Sequence, residues 1–349
     1  MHSLLAIGCY TDGAPYFEAA GKGLVIAEFD PLSGALTKQL EGLPLTNPSY
    51  VISGAGGLLY VVSERFNGPG MVHALARSGT KIGVRWQVSS RGRCSCHLAV
   101  LPGGDVLAVS HYLGGSISLF STHDGTLLGE THYVGRGPYA QRQSESHPHQ
   151  CVASPSGRWL LVPDLGADRV WAHPISNRLG VLEPAGTTAL PGTGPRHLVF
   201  HPCGTRVSVF GELDGHVHTG RWVEDLGQIT WIQSMRTVPE IAAPEASGSA
   251  IKLHPSLPLI YAANRSLHDL AVLAVETNGS LSERGRIQAG GTTPRDFTIS
   301  RDGRWLLVAC QNSHRIVAYP LNEANGLPSG PSITALETGS PVCLAWITH

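Results

Sequence analysis

Histidine, arginine and acidic residues in this chain stand at matching points of a repeated pattern of short apolar runs. One group lies at the start of the first run of each repeat, and another lies at the end of the second run. The first group contains Ser49, His97, His149, Arg196, His197, Arg295 and Asp296, and the second contains Tyr10, Thr11, Glu64, His111, Tyr112, Asp164, Glu212, Asn264, Arg265, Gln311 and Asn312. Arginine binds carboxylate and phosphate oxygens through paired hydrogen bonds, and histidine exchanges protons near neutral pH. If the two groups converge, they predict a binding site for an anionic, hydroxylated ligand.

The apolar runs recur along the whole chain. Each repeat has a proline or small residue, a polar residue, an apolar run, a turn and a second apolar run that ends in polar residues. The first runs begin at positions 48, 95, 148, 195, 248, 294 and 341, which are 46 to 53 residues apart. Repeats of this length built from short strands are typical of β-propellers, in which each repeat is one four-stranded blade. Because a blade cannot bury both faces alone, seven copies predict an all-β, seven-bladed propeller.

The seventh repeat is divided between the two ends of the chain. Its first run starts at Pro341, and the matching second run is Leu4–Tyr10. We expect these strands to pair and close the ring, so that residues 1–349 form one propeller domain. The first strand of each blade should line the channel, with the second antiparallel beside it. The start of the first strand and the end of the second then share one end of the ring, here called the channel mouth, where both polar groups are expected.

Composition limits the expected partners and compartment. The formal net charge is −1 and the isoelectric point is about 7.0, which argues against a broad nucleic-acid-binding surface. No apolar run is long enough to span a membrane, and the N-terminus lacks the basic residues of a signal peptide. The seven cysteines, several of them in predicted core strands, fit reduced and buried thiols. We therefore expect a cytoplasmic monomer or small homo-oligomer without nucleic-acid or membrane partners.

Metal and cysteine chemistry are weaker interpretations. His147 and His149 could begin a metal site, but no third and fourth ligand accompany them. Cys94 and Cys96 are too closely spaced for a zinc knuckle and have no second pair. We expect neither a metal nor another cofactor. The longest irregular stretch, residues 134–147, contains Arg142 and is long enough to indicate a functional loop.

Motifs at the same positions resemble one protein family along nearly the whole chain. They are Gly8–Thr11, Asn47–Tyr50, Gly114–Ile117, Arg142-Gln143, Ser146–His149, Pro163–Asp168, Gly192–Phe200, Glu212-Leu213, Asn264-Arg265 and Thr293–Phe297. The chain resembles the seven-bladed propeller lactonases, which include bacterial propeller-type 6-phosphogluconolactonases and are related to eukaryotic 3-carboxy-cis,cis-muconate lactonizing enzymes. The resemblance implies a site formed by His149, Arg196, Glu212 and Arg265, with His147 as the nearby alternative histidine.

Two departures from the family pattern are expected at the channel mouth. His111 stands where the family usually has asparagine before a tyrosine, and Ser266 stands where it has glycine after Asn-Arg. These changes leave the reaction type in place and put the identity of the substrate in question.

The polar groups and the resemblance together predict a metal-independent hydrolase of a sugar or sugar-phosphate lactone, with 6-phosphogluconolactone as the leading substrate. Covalent catalysis is disfavoured, because the sequence has no Gly-x-Ser-x-Gly motif and no mouth cysteine with a histidine–acid relay. His149 or His147 would deprotonate a water molecule. Arg196 and Arg265 would hold the lactone carbonyl and the product carboxylate, and Glu212 would orient the histidine or act as a second acid or base.

Further side chains are predicted to bind the substrate. Arg295 or Arg142 would bind a distal phosphate. The polar residues that would contact sugar hydroxyls are Asp164, Asn264, Gln311 and Asn312, and further candidate substrate contacts are His97, His147 and His197. Two alternatives stay open: a cycloisomerase acting on a carboxylated muconate-type lactone, and a non-catalytic propeller that serves as an interaction module.

Overall fold

The structure, a computed structural model, describes residues 3–13, 18–78, 81–176 and 183–348. Within them the chain forms seven four-stranded antiparallel sheets, which are the blades of a propeller. Blade 1 is β1 Ser3–Cys9, β2 Leu24–Phe29, β3 Leu36–Leu43 and β28 Pro341–Trp346; blade 2 is β4 Pro48–Ser53, β5 Leu58–Ser63, β6 Pro69–Ser78 and β7 Lys81–Arg93; blade 3 is β8 Ser95–Val100, β9 Val106–His111, β10 Ser116–Ser121 and β11 Leu127–His132.

The remaining four blades follow in chain order. Blade 4 is β12 Val152–Ala153, β13 Trp159–Asp164, β14 Arg169–Pro174 and β15 Gly186–Ala189; blade 5 is β16 Pro195–Phe200, β17 Arg206–Gly211, β18 His216–Val223 and β19 Gln228–Arg236; blade 6 is β20 Gly248–Leu253, β21 Leu259–Asn264, β22 Asp269–Val275 and β23 Leu281–Gln288; blade 7 is β24 Pro294–Ile299, β25 Trp305–Cys310, β26 Arg315–Pro320 and β27 Ile333–Glu337. Short 3-10 turns span Ala55–Gly57, Glu240–Glu245 and Gln311–Ser313.

The two ends of the chain close the ring, as the divided repeat predicts. Strand β28 pairs antiparallel with β1, from Leu5 opposite Trp346 to Cys9 opposite Pro341. The strand order in this blade is β28-β1-β2-β3, so the C-terminal strand is innermost. This strand also contacts the innermost strands of its neighbours, β4 and β24. This pairing joins both chain ends in one blade, and the predicted seven-bladed fold is confirmed.

The apolar core lies between neighbouring blades rather than at the centre of the ring. One cluster joins blades 1 and 2 through Ala6, Val51 and Leu59, and another joins blades 6 and 7 through Tyr261 and Phe297. Equivalent clusters fill the other blade interfaces. Second strands such as β9 are buried along their whole length, because both of their faces pack on neighbours. Polar side chains therefore line the axis of the ring at the channel mouth.

The innermost strand of blade 4 differs from the prediction. A full strand is expected from Pro148, but β12 spans only Val152–Ala153, preceded by an isolated bridge between Pro148 and Asp164. The backbone of His149 stays attached to the blade, since its N–H donates to the carbonyl of Pro163 at 2.9 Å. In the described part of the chain, no helix is long and apolar enough to cross a bilayer.

Candidate active site

A repeated backbone contact brings one residue from every blade to the channel mouth. The first residue after each second strand donates its N–H to the carbonyl of the residue that precedes the innermost strand. Glu212 bonds to Gly194 in this way at 2.9 Å, and Arg265 bonds to Ser247 at 2.8 Å. The equivalent residues, here called the mouth ring, are Tyr10, Glu64, Tyr112, Leu165, Glu212, Arg265 and Gln311. The turn before the innermost strand needs a left-handed backbone in several blades, and Gly194 with φ of 60° adopts it at no steric cost.

A second set of side chains comes from the innermost strands. Strand pairing shifts register at the second residue of five of these strands, at Ser49, Cys96, Arg196, Arg295 and Val342, and at Ser249 and Ala250 of a sixth. Such a bulge removes the residue from the ladder and redirects its side chain. The first five residues line one cavity with Tyr50, Glu64, His149, His197 and Asp296. The cavity has a volume of about 20 Å³, which is room for one or two water molecules.

Glu212 is a buried carboxylate in contact with three guanidinium groups. Its Oε2 lies 3.1 Å from Nε of Arg196 and 2.9 Å from Nη2 of Arg265. Its Oε1 accepts a short hydrogen bond from Nη2 of Arg142. Arg196 and Arg265 also donate to the backbone carbonyls of Ser249 and Gly248, at 2.6 and 2.9 Å. The start of β20 therefore holds both guanidinium groups beside the carboxylate.

The charges of this cluster are fixed at neutral pH. Burial alone would raise the pKa of Glu212, but Arg265, Arg142 and Arg196 outweigh burial and hold this pKa well below its usual range. Burial and Arg265 lower the pKa of Arg196 to about 10, which leaves it protonated at neutral pH. Glu212 is thus an anion with no proton to donate, and its contacts are to arginines rather than to His149. This favours a role in holding the guanidinium groups over the predicted role as an acid.

Arg142 reaches the cluster from the irregular segment between β11 and β12. Gln143 anchors this segment by donating to the carbonyl of Leu165 at 2.8 Å and to Oδ1 of Asp168 at 2.6 Å. The Arg142 side chain is 45% exposed, whereas that of Glu212 is 5% exposed. The segment therefore places one solvent-accessible cation over a buried carboxylate.

His149 lines the cavity and is held uncharged. Its ring lies edge-on to His197, with centroids 5.2 Å apart, and its buried Nδ1 has no hydrogen-bond partner. Burial, followed by the nearby Arg196, lowers the pKa of His149 well below its usual range. Burial and Arg196 also lower the pKa of His197 well below its usual range and lower the pKa of His97 to about 3. The His97 ring is tilted against Tyr50 and lies edge-on to His197 beside the cavity. The lowered pKa values keep His97, His149 and His197 neutral at physiological pH.

His147 occupies a different environment from His149. Its ring stacks on Tyr112 at 4.4 Å, and its Nδ1 lies 2.8 Å from the Tyr112 carbonyl. That contact places the proton on Nδ1, because a carbonyl only accepts. His147 is outside the cavity lining, so the structure favours His149 as the histidine that meets a water there.

Two predicted substrate contacts are used inside their blades instead. Asp164 accepts hydrogen bonds from the backbone of His147 and Ala167 and from the Trp171 indole. Asn264 is bonded to Thr237 and Asp269. Both are the last residue of a second strand, one position before the mouth ring, and successive strand residues point to opposite faces. Gln311 does belong to the mouth ring and has a buried, unpartnered Oε1.

The departure at His111 is also away from the channel. Its Nδ1 and Nε2 each lie 3.0 Å from a serine hydroxyl, of Ser95 on one side and Ser118 on the other. His111 is fully buried between strands of its own blade. The expectation that this substitution alters the mouth is therefore wrong. Among the residues that the structure describes, no three histidine, cysteine or acidic side chains are grouped to hold a metal ion.

Comparison with known families agrees with this architecture. The family model described as "Lactonase, 7-bladed beta-propeller" matches residues 4–346. The chain belongs to this lactonase family. The predicted fold, family and lactone hydrolase class are confirmed at this level.

Similar proteins cover the lactonase fold from end to end. The 6-phosphogluconolactonase of Bacillus subtilis (strain 168) is 27% identical and covers 98% of this chain and 97% of its own. The solved periplasmic gluconolactonase of Pseudomonas aeruginosa is 25% identical with a TM-score of 0.89, covering 100% of this chain and 99% of that one. A solved protein from Lactobacillus plantarum is 26% identical with a TM-score of 0.90 and full coverage of both chains.

Sequence reasoning placed Glu64 at the channel mouth of this lactonase but assigned it no catalytic or substrate-binding role. Its Oε2 accepts a hydrogen bond of 2.6 Å from Tyr10, whose hydroxyl oxygen accepts one of 2.9 Å from Nη2 of Arg295. Glu64 lines the same cavity as His149. Its position one residue after a second strand, equivalent to that of Glu212, is the signal that could have identified it.

Proposed function

We propose that this lactonase hydrolyses an anionic sugar lactone, with 6-phosphogluconolactone as the leading substrate. The charge balance at the mouth carries the proposal. Four guanidinium groups, of Arg142, Arg196, Arg265 and Arg295, face two carboxylates, Glu64 and Glu212. The nearby Asp296 is neutralised by Lys252 at 2.7 Å. The remaining excess of two positive charges suits a phosphate dianion, and the Bacillus subtilis relative bears the name of that activity.

In the proposed chemical step, His149 activates the attacking water molecule. As a neutral imidazole, it removes a proton from a water molecule while the water oxygen attacks the lactone carbonyl. The oxyanion develops beside Arg196 and Arg265, which are already ordered by Glu212 and by the backbone of β20. Donors fixed before the reaction stabilise the tetrahedral intermediate without reorganisation. The ring C–O bond then breaks, the alkoxide takes up a proton, and the product is an open-chain carboxylate.

Arg142 is assigned to the distal phosphate in preference to Arg295. The Arg142 side chain is 45% exposed, whereas Arg295 is half-buried, lies over the Tyr10 ring and donates to its hydroxyl. A ligand can approach Arg142 without displacing a core contact. Its present bond to Glu212 would be exchanged for two phosphate oxygens.

The test is a panel of lactones that contains 6-phosphogluconolactone and its unphosphorylated counterpart. We expect Arg142→Gln to raise KM for the phosphorylated lactone and to leave KM for the other nearly unchanged. Arg304→Gln, in an exposed ion pair with Glu323, is the matched control and should change neither. Equal effects of Arg142→Gln on both substrates would contradict the phosphate assignment.

A reaction in ¹⁸O-labelled water separates hydrolysis from the alternatives. Hydrolysis incorporates one labelled oxygen into the product carboxylate, because the attacking oxygen comes from water. A cycloisomerase would release unlabelled product from a muconate-type substrate, and an interaction module would turn over no lactone. Either result would overturn the proposal.

A cytoplasmic location is proposed from the thiols. All seven cysteines are free and six of them are buried, as expected in a reducing compartment. Cell fractionation tests this, and a periplasmic location, as for the Pseudomonas aeruginosa relative, is the contrary outcome.

A further inference from the structure

The proposed mechanism leaves one proton without a stable site. After His149 takes a proton from water, an imidazolium would stand buried between Arg196 and Arg295. Burial and these arginines disfavour that charge. The Glu212 carboxylate partly offsets this effect, but it cannot take up the proton itself, because three arginines hold it as an anion. A general acid–base step needs a further group that can carry this proton until the ring oxygen leaves.

Glu64 is the cavity carboxylate that meets this need. It lines the same small space as His149, with room there for one or two bridging waters. Among the described residues it forms no ion pair with an arginine, and the Arg295 guanidinium donates to the Tyr10 hydroxyl. Tyr10 in turn donates to Oε2 of Glu64, so its hydroxyl separates the carboxylate from the cation and fixes its direction.

We propose that Glu64 is a second proton-transfer residue of the lactonase site and that Tyr10 is the residue that positions it. This inference rests on the proposed hydrolysis. The proton removed from the attacking water passes through His149 or a bridging water to the Glu64 carboxylate, which becomes a neutral carboxylic acid. The tetrahedral oxyanion is meanwhile balanced by Arg196 and Arg265. When the ring C–O bond breaks, Glu64 returns the proton to the alkoxide and is again a carboxylate, so the charge of the cavity side chains is unchanged over the step. The new carboxyl group then loses its proton to solvent.

The titratable and charged groups that face Glu64 each stay in one protonation state through neutral pH. They are Tyr10, Tyr50, Cys94, Cys96, His149, Arg196, His197, Arg295 and Asp296. Burial raises the pKa of both tyrosines and both cysteines, so all four stay protonated. His149 and His197 stay neutral, both arginines stay charged, and Asp296 is paired with Lys252. A part of the acidic fall in kcat that is present in wild type and absent from a Glu64 variant would therefore be due to Glu64.

The experiment compares Glu64→Gln, Glu64→Asp, Tyr10→Phe and wild type in kcat, KM and pH dependence. We expect Glu64→Gln to lower kcat by about 10²- to 10⁴-fold with little change in KM, as for loss of a proton-transfer group. Its residual activity should lack the acidic decline of wild type. Glu64→Asp should restore part of kcat together with that decline, and Tyr10→Phe should shift the decline with a smaller loss of kcat. Glu323→Gln, at an exposed ion pair, is the control for the substitution itself.

Two outcomes would overturn the inference. Wild-type kcat in Glu64→Gln would show that the proton goes elsewhere. Equal losses of kcat in Glu64→Gln and Glu64→Asp, with an unchanged pH profile, would show that Glu64 has a structural role. If Glu64→Gln fails to fold, an unchanged pH profile in Tyr10→Phe would overturn the inference in the same way. Failure of the proposed function is distinguishable, since wild type would then hydrolyse none of the lactones.

Discussion

Replacing Glu212 by glutamine tests whether this carboxylate holds the three arginines in place. The substitution keeps the size of the side chain and removes the charge that Arg142, Arg196 and Arg265 share. Removing one partner of a buried ion pair costs about 3–5 kcal/mol, because the other charge is left buried without compensation. At about 2.1 cal/mol/K of unfolding entropy per residue, 349 residues give about 0.7 kcal/mol/K. We therefore expect Tm to fall by about 4–7 °C.

The assay is thermal unfolding followed by calorimetry, with Glu323→Gln as the control. Glu323 makes an exposed ion pair with Arg304 at 2.8 Å, and such a pair contributes about 0–1 kcal/mol. Its loss should move Tm by about 1 °C or less. A Tm for Glu212→Gln as close to wild type as that of the control would refute the reasoning.

The same comparison has a defined pH dependence. Because the folded-state pKa of Glu212 is depressed, its stabilisation is complete above the unfolded-state value of about 4.3. The stabilisation is lost as the pH falls from there toward the folded-state pKa. The Tm difference between wild type and Glu212→Gln should therefore be constant from about pH 8 to about pH 5 and narrow below about pH 4. A difference that narrows between pH 8 and pH 5 would assign the effect to another group.

Four further predictions concern the site and the ring. Arg196→Lys should lower turnover by about 10²- to 10³-fold in steady-state kinetics, because lysine keeps the charge but loses the planar fork. His149→Ala should lower kcat at least as much in the same assay. Full activity in both Arg196→Lys and His149→Ala would contradict the proposed mechanism. A chelator should leave the initial rate unchanged, whereas inhibition reversed by added metal would support a metal site. Deleting residues 340–349 should give aggregated protein in size-exclusion chromatography, because it removes β28 and opens the ring; a soluble, cooperatively folding product would contradict that.

Register explains which site residues the sequence could identify. The repeat places Glu64, Glu212 and Arg265 at one equivalent point, and a shared backbone hydrogen bond brings them to one end of the ring. Asp164 and Asn264 are one residue earlier and point into their blades. The position of a strand end can be read from a sequence repeat only to within about one residue. A shift of one residue moves a side chain to the opposite face of the sheet, so the sequence did not decide which polar residues face the channel mouth.

The sequence by itself determined the fold and the end of the ring at which the polar groups gather. Repeat length, strand periodicity and the divided seventh repeat are local patterns along the chain, and one closed ring satisfies all of them. Only the tertiary structure decided which groups are paired. The Glu212 carboxylate binds three arginines from separate blades or connections, Arg142, Arg196 and Arg265. The Glu64 carboxylate instead accepts a hydrogen bond from Tyr10. Charge and proton affinity depend on burial and on neighbours within a few ångströms, and those neighbours are distant in sequence.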